Sequence, residues 1–316
     1  MISSKNERII CTLPVYLTHS SISRKRVPAS PRRRKRAFSF TQSFTHSFSQ
    51  PHTAFVMDVL ERLGVSFASR ASSSNASSSR ALAVVDHLDA PGSWLTAILL
   101  ADACDAYGGV VVACCETPAS EIHALSRKLA RGGARDAVTR GMARGTCELI
   151  DFFRLDAATG RGTRATLEEV REGAMRAREA ARRAFVGDTS KSSTLTSVSS
   201  RVCVVVDGAD SLSSGRSRVA DAAAERFLDA LERELGDGVD IVVRAHADVG
   251  ARAGWLAERA DCEIRVEPLR TGSAEDAHGT CETTHRNNAW RAEGAARRSR
   301  ATFALTELGA RLESRG

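Results

Sequence analysis

The sequence predicts an α/β domain: a mostly parallel sheet with helices on both faces and an antiparallel C-terminal edge. Three observations predict it. Short apolar runs alternate with helical patterns from residue 81 to residue 256, and strands separated by helices pair in parallel, the helices serving as crossovers. Two of the runs, Ala81–Asp86 and Val202–Asp207, end in an acid, as buried parallel strands do at the carboxyl edge of many α/β sheets. The segments after Glu263 lack intervening helical patterns, so the last strands turn back on one another.

The elements follow in order. Strand one is Leu82–Asp86. A helix from about Gly92 to Tyr107 carries Trp94, Leu95, Ile98, Leu99 and Leu100 on several sides, which predicts that it is buried. Gly108 and Gly109 are expected to end it, because glycine tolerates the left-handed conformation. Strand two is Val110–Cys115. Thr117 and Pro118 supply an N-cap and a first-turn proline for a helix with Ile122, Leu125 and Leu129 on one face. Strand three is Cys147–Phe153. Thr166-Leu-Glu-Glu169 reads as a capping box opening a helix whose apolar side runs Leu167, Val170, Ala174, Ala181, Phe185. Strand four is Val202–Asp207, and the next helix spaces Val219, Ala223, Phe227, Leu231 and Leu235 down one stripe. Strand five is Val239–Arg244, followed by a short helix at Trp255–Leu256. Strand six is Glu263–Val266; a turn-rich hairpin region runs through His285, and a last strand lies near Thr302–Leu305.

Charge divides the chain. Residues 1–56 hold ten Lys/Arg and one acid, a net +9 within a whole-chain +7, so residues 57–316 carry −2. The high pI therefore belongs to the N-terminal stretch, and no overall field steers the domain toward nucleic acid. Residues 1–56 are expected to be a disordered basic Ser/Arg-rich extension. Three readings fit it: a transit peptide, a nuclear-import or nucleic-acid-binding run at residues 24–36, or an over-extended start with Met57 as the true one. Residues 57–80 read as a short amphipathic helix and a Ser-rich spacer, and residues 81–310 as one domain. The eight cysteines form no C-x-x-C pair, which argues for buried thiols over zinc or disulfides. No run of about 18 uncharged apolar residues exists, so a membrane span is not expected.

Candidate sites lie at the strand ends. Asp207 occupies the place where a P-loop ATPase holds Mg²⁺. The loop after strand one, His87-Leu-Asp-Ala-Pro-Gly-Ser-Trp94, contains neither a Gly-x-x-x-x-Gly-Lys-Ser/Thr motif nor any lysine. Asp207-Gly208 thus reads as a strand-to-loop turn. Glu116 ends strand two, where RecA-type ATPases place the carboxylate that orients water; capping the helix at Thr117-Pro118 is the competing role. Ser93 lacks a Gly-x-Ser-x-Gly setting and reads as a first-turn residue. His246 and Asp248 follow strand five with no third partner for a catalytic group. Arg171, Arg178 and Arg182 alternate with glutamates on one helix, a salt-bridged face by default and an RNA-contacting face as the alternative.

With those residues in view, the chain resembles the Elongator complex protein 6 family, RecA-like subunits that lack the ATPase motifs. Val84-Val-Asp-His-Leu-Asp-Ala-Pro-Gly-Ser-Trp-Leu95 is similar to that family's first strand, acidic turn and helix start. Val204-Val-Val-Asp-Gly-Ala-Asp210 is similar to its degenerate Walker B strand. Arg265-Val-Glu-Pro-Leu-Arg-Thr-Gly272 with Asp276-Ala-His-Gly279 is similar to its C-terminal hairpin. Glu116-Thr-Pro departs from the family's pattern after strand two. The Elongator protein 5 family is the nearest alternative. The resemblance implies a RecA-like (P-loop NTPase-type) fold with Walker A absent, no catalytic residues and no cofactor. It also implies a hexameric ring with Elongator proteins 4 and 5, tRNA bound by the assembled ring, and a cytoplasmic or nuclear location. A transit peptide in residues 1–56 would instead imply an organelle. The competing reading is an active RecA-type ATPase or recombinase accessory using Glu116 and Asp207.

Overall fold

Nine strands form one sheet in the order β3-β2-β4-β5-β1-β6-β7-β8-β9. The structure, a computed structural model, describes residues 54–72, 80–129, 136–152, 163–188, 199–212, 226, 228–234, 238–248, 256, 258–269, 277–306 and 309–314. The basic segment 1–53, the hairpin residues 270–276 and much of the helix expected around Val219–Leu235 lie outside them.

The strands are β1 (Arg80–Asp86), β2 (Tyr107–Cys114), β3 (Cys147–Asp151), β4 (Ser199–Asp207), β5 (Val239–His246), β6 (Cys262–Pro268), β7 (Gly279–His285), β8 (Arg298–Thr306) and β9 (Gly309–Ser314). β1 to β6 pair in parallel, and β6-β7-β8-β9 pair antiparallel. The helices are α1 (Ala54–Leu63), α2 (Phe67–Ser72), α3 (Ser93–Ala106), α4 (Ala119–Leu129), α5 (Ala137–Arg144) and α6 (Thr163–Asp188). The expected fold class is the one observed: a mostly parallel α/β sheet covered on both faces, with antiparallel strands at its C-terminal edge.

Alternation along each strand divides the core in two. Leu82, Val84, Val110, Val112, Cys203, Val205, Val242 and Ile264 face α3, while Ala83, Val85, Val111, Val204, Val206, Ile241 and Val243 face α6 and the helical residues around Leu231. Continuous apolar strands are what two covered faces require. α3 is buried almost all round, as its composition demanded.

Several local expectations are corrected. α3 does not end on Gly108-Gly109: Tyr107 caps it in an extended conformation, and both glycines lie inside β2. A Cβ at Gly109 would stand 3.0 Å from the Ala177 backbone, so this glycine lets α6 approach the sheet closely. α4 begins one residue later than expected, with the Pro118 carbonyl accepting its first amides, from Glu121 and Ile122. α6 opens at Thr163, before the Thr166 box. The spacer expected over residues 69–80 contains part of α2, whose Phe67 and Arg70 are buried. α5 and β9 were not anticipated; β9 carries the sheet beyond residue 310. No helix among the described residues is long and apolar enough to cross a membrane.

Candidate functional site

The order β2-β4-β5-β1 sets four strand ends side by side at the carboxyl edge. Register aligns Cys114 with Asp207, Val84 with Arg244 and Asp86 with His246. Arg244 and His246 follow Val242 at two-residue spacing, so they stand on the α3 face of β5.

Arg244 is the centre of the cluster. Its side chain is 2% exposed, between Asp86 and Asp207 at 0%. Nε donates to Asp207 Oδ1 at 2.8 Å and Nη1 to Asp86 Oδ2 at 3.0 Å. Nη2 lies 2.9 Å from Glu116 Oε2, an ion pair out of line for a straight hydrogen bond. His246 completes the group. Nε2 is 2.8 Å from Glu116 Oε1, and Nδ1 is 2.7 Å from Asp86 Oδ1, again as an angled ion pair. Backbone amides hold the acids in place: Thr117 N–H donates to Asp207 Oδ2 at 2.9 Å, Gly92 N–H to Asp86 Oδ2 at 2.5 Å, and His246 N–H to Asp210 Oδ2 at 2.6 Å.

These contacts set the protonation states. Burial opposes ionisation of Asp86 and Glu116, yet the close contact with His246 and the Arg244 charge outweigh it and hold both below the usual carboxylate range. Burial likewise disfavours a charged His246, but the Asp86 and Glu116 carboxylates raise its pKa to about 10. The cluster therefore holds a permanent guanidinium and an imidazolium beside the ionised Asp86 and Glu116.

Sequence reasoning singled out Asp207 and Glu116, and the structure brings them to one guanidinium. It did not place Glu116 correctly: the carboxylate serves His246 and Arg244 and not the start of α4. His246 does have carboxylate partners, Asp86 and Glu116, while Asp248 stands apart and accepts from Leu88 N–H at 3.2 Å. Ser93 is the first residue of α3, as expected. Arg171, Arg178 and Arg182 lie on α6, away from this edge; Arg171 reaches Glu234 at 3.8 Å, Arg178 is half-buried and Arg182 is exposed. Arg244 was missed as a site residue. Its signal was a lone cation closing an apolar strand in a sheet whose neighbouring strands end in acids.

A second buried cluster pins the opposite edge. Asp240, at 0% exposure, accepts from Arg70 Nη2 and Arg201 Nη2, each at 2.7 Å, from the Tyr107 hydroxyl at 2.7 Å and from Arg80 N–H at 3.1 Å. It ties α2, β1, β2, β4 and β5 together.

The residues at the carboxyl edge do not fit a Mg²⁺–nucleotide. The carboxylates that would meet the metal hold the Arg244 guanidinium, and Asp86 takes the Gly92 amide that would face a phosphate. The β1–α3 loop supplies no lysine.

No family model matches the chain, and no curated protein matches it in sequence. Solved structures similar to it include a KaiC-like protein, PH0186, from the hyperthermophilic archaeon Pyrococcus horikoshii OT3. That match has 12% identity and a TM-score of 0.45, and it covers 74% of this chain and 89% of that one. The flagellar accessory protein FlaH from Methanocaldococcus jannaschii is 14% identical with a TM-score of 0.46, covering 81% of this chain and 95% of that one. Both likenesses concern the fold alone.

Proposed function

We propose that the chain is a non-catalytic RecA-like subunit of an Elongator-type complex. In this reading it sits in a ring with the sister subunits Elongator proteins 4 and 5 and supports modification of wobble uridines in tRNA bound by the ring. Its compartment is then the cytoplasm, with the nucleus as a second site, or an organelle if residues 1–56 are a transit peptide.

The observation that carries the non-catalytic part is the Arg244 fork. A buried guanidinium pairs with Asp86, Asp207 and Glu116 from within the fold, and displacing it would strand a buried cation. The family part is supported by the three sequence stretches at Val84–Leu95, Val204–Asp210 and Arg265–Gly279. A competing reading, an Elongator protein 5 or an ATPase or recombinase accessory using Glu116 and Asp207, draws on the 33% exposure left to the Glu116 side chain.

Two measurements separate these readings. Affinity capture from native extract followed by mass spectrometry should recover two sister RecA-like subunits; recovery of a lone monomer overturns the ring assignment. Calorimetry with millimolar Mg²⁺–ATP should give no binding heat, whereas a saturable, Mg²⁺-dependent signal favours the ATPase.

A further inference from the structure

Strand register keeps most of the free cysteines among the described residues apart. Cys147 and Cys203 both align with Val110, one on each side of it. Two strand spacings, about 9.6 Å, therefore separate them, whereas a disulfide needs Cα atoms within about 7 Å. Cys262 stands opposite His285 and Cys281 opposite Val266, so these two lie at different levels of the β6–β7 pair. Cys114 and Cys115 belong to cores on opposite faces of the sheet. Cys104 and Cys147 are different.

Helix α5 brackets this pair. Arg140 Nη2 donates to Asp105 Oδ1 at 3.0 Å, so α5 lies against the turn of α3 that carries Cys104. The next residue, Gly141, seats its backbone on Cys147: a Cβ there would stand 2.7 Å from the Cys147 Cβ. Cys147 shares the α3 face of the sheet with Val110 and Cys203, and Cys104 packs against that same core. There the Cys104 thiol faces the Cys147 thiol within hydrogen-bonding reach. Cys104 is half-buried and Cys147 is 5% exposed, so a small oxidant meets the pair from the Cys104 side. The strand that carries Cys147, β3, is the outermost of the sheet and pairs with β2 alone.

We propose that Cys104 and Cys147 are a redox pair, two thiols at rest that close to a disulfide under sustained peroxide and fasten the edge strand β3 to α3. The oxidant is hydrogen peroxide. The Cys104 sulfur attacks one peroxide oxygen, the O–O bond breaks, and water leaves with the thiol proton; Cys104 becomes a sulfenic acid. The Cys147 sulfur then attacks the Cys104 sulfur, the S–S bond forms as the S–O bond breaks, and a second water leaves with the Cys147 proton. One peroxide gains the two electrons that the sulfurs lose. A dithiol reductant reverses the step by exchange. The Cys147 contact and burial push the Cys104 thiol well above the usual range, so the pair reacts slowly and stays reduced under ordinary conditions. The inference stands apart from the Elongator reading: failed co-purification leaves it intact, and an absent disulfide leaves the ring assignment intact.

The test treats the folded full chain with millimolar hydrogen peroxide for several hours. Remaining thiols are alkylated, and the chain is digested without reduction for mass spectrometry. The expected product is a peptide linking Cys104 to Cys147 that dithiothreitol separates. In the oxidised chain, hydrogen exchange of the β3 amides should slow by about threefold or more, because the bridge restrains local opening of the edge. The thermal unfolding midpoint should rise by several degrees, as closing a loop of this length does. Cys104→Ala, at the half-buried position, should abolish the link and both gains and leave Cys147 open to alkylation after unfolding. Cys203→Ala should retain the link. Four outcomes would each overturn the proposal: both thiols unchanged in the folded chain, a sulfinic acid on Cys104 beside a free Cys147, a bridge from either to Cys203, or a linked chain with unaltered β3 exchange.

Discussion

Arg244 Nε donates to Asp207 Oδ1 at 2.8 Å, so the acid that closes β4 is neutralised from the adjacent strand β5. Because the same guanidinium also serves Asp86 and Glu116, removing it leaves several buried carboxylates without their cation. Arg244→Met should cost about 3–5 kcal/mol, the usual penalty for breaking a buried ion pair from one side. The carboxylates left behind should have raised pKa values, so the variant should regain stability as pH falls from 7 toward 5. Denaturant unfolding at both pH values reads this out. A loss below about 1 kcal/mol would show that the fork is not a structural pillar.

The layers of the fold were legible because apolar strands and amphipathic helices each declare a period. β1 and β4 stood out as apolar runs ending at Asp86 and Asp207, β5 as a run carrying Asp240 near its start and reaching Arg244, and α3 as a helix too apolar to have a wet side. What sequence could not supply was which strand ends become neighbours. The order β2-β4-β5-β1 is a property of crossovers, and without it Arg244 and His246 had no visible partners and Glu116 fell to the nearest helix start. Arg70 was hidden for a related reason: it lies in a Ser-rich stretch, and only burial of α2 against the sheet brings it to Asp240. β9 was missed because Gly309–Ser314 has few apolar residues and owes its pairing to β8.

Gly208 adopts φ +77°, and a Cβ there would stand 2.4 Å from the Glu116 Cβ. Gly208→Ala combines a left-handed backbone, a strain on the order of 1–3 kcal/mol, with a collision that pushes Glu116 off His246 and Arg244. Glu116→Gly removes every side-chain atom in the way, the Cβ included, but leaves the backbone cost at Gly208. A double-mutant cycle should give an interaction energy of about 0.5–3 kcal/mol, the double variant losing less than the sum of the singles. Strict additivity would mean that Gly208 matters for its backbone alone.

Asp240 gathers Arg70, Arg201 and Tyr107 at the amino edge of the sheet. Asp240→Asn keeps the shape but removes the charge, and should destabilise by about 3–5 kcal/mol. The loss should exceed that of Tyr107→Phe, which deletes one hydrogen bond worth about 1.5–3 kcal/mol when the acceptor is charged. Chemical unfolding of the two variants side by side settles the order. Equal losses would place the weight of the cluster on the hydroxyl and not on the ion pairs.

His246 lies between Asp86 and Glu116 with its pKa raised to about 10. A histidine raised above its unfolded value adds stability that is fully present below about pH 6.5 and is lost as pH rises through the folded value. Asp86 and Glu116, held below the usual range, act in the opposite direction: their contribution is present above their unfolded values near 4 and is lost as pH falls through the lowered ones. Stability should therefore be greatest between about pH 5 and 6.5 and decline from there toward pH 10. Buried thiols such as Cys203 and Cys281, held neutral in the fold, add to the decline at the alkaline end in any variant that retains them. His246→Gln isolates the imidazolium: its stability curve should be lower than that of the native chain at pH 6.5 and should converge toward it by pH 10. Parallel curves across pH 7–10 would mean that His246 is neutral in the fold and that Arg244 alone balances the carboxylates.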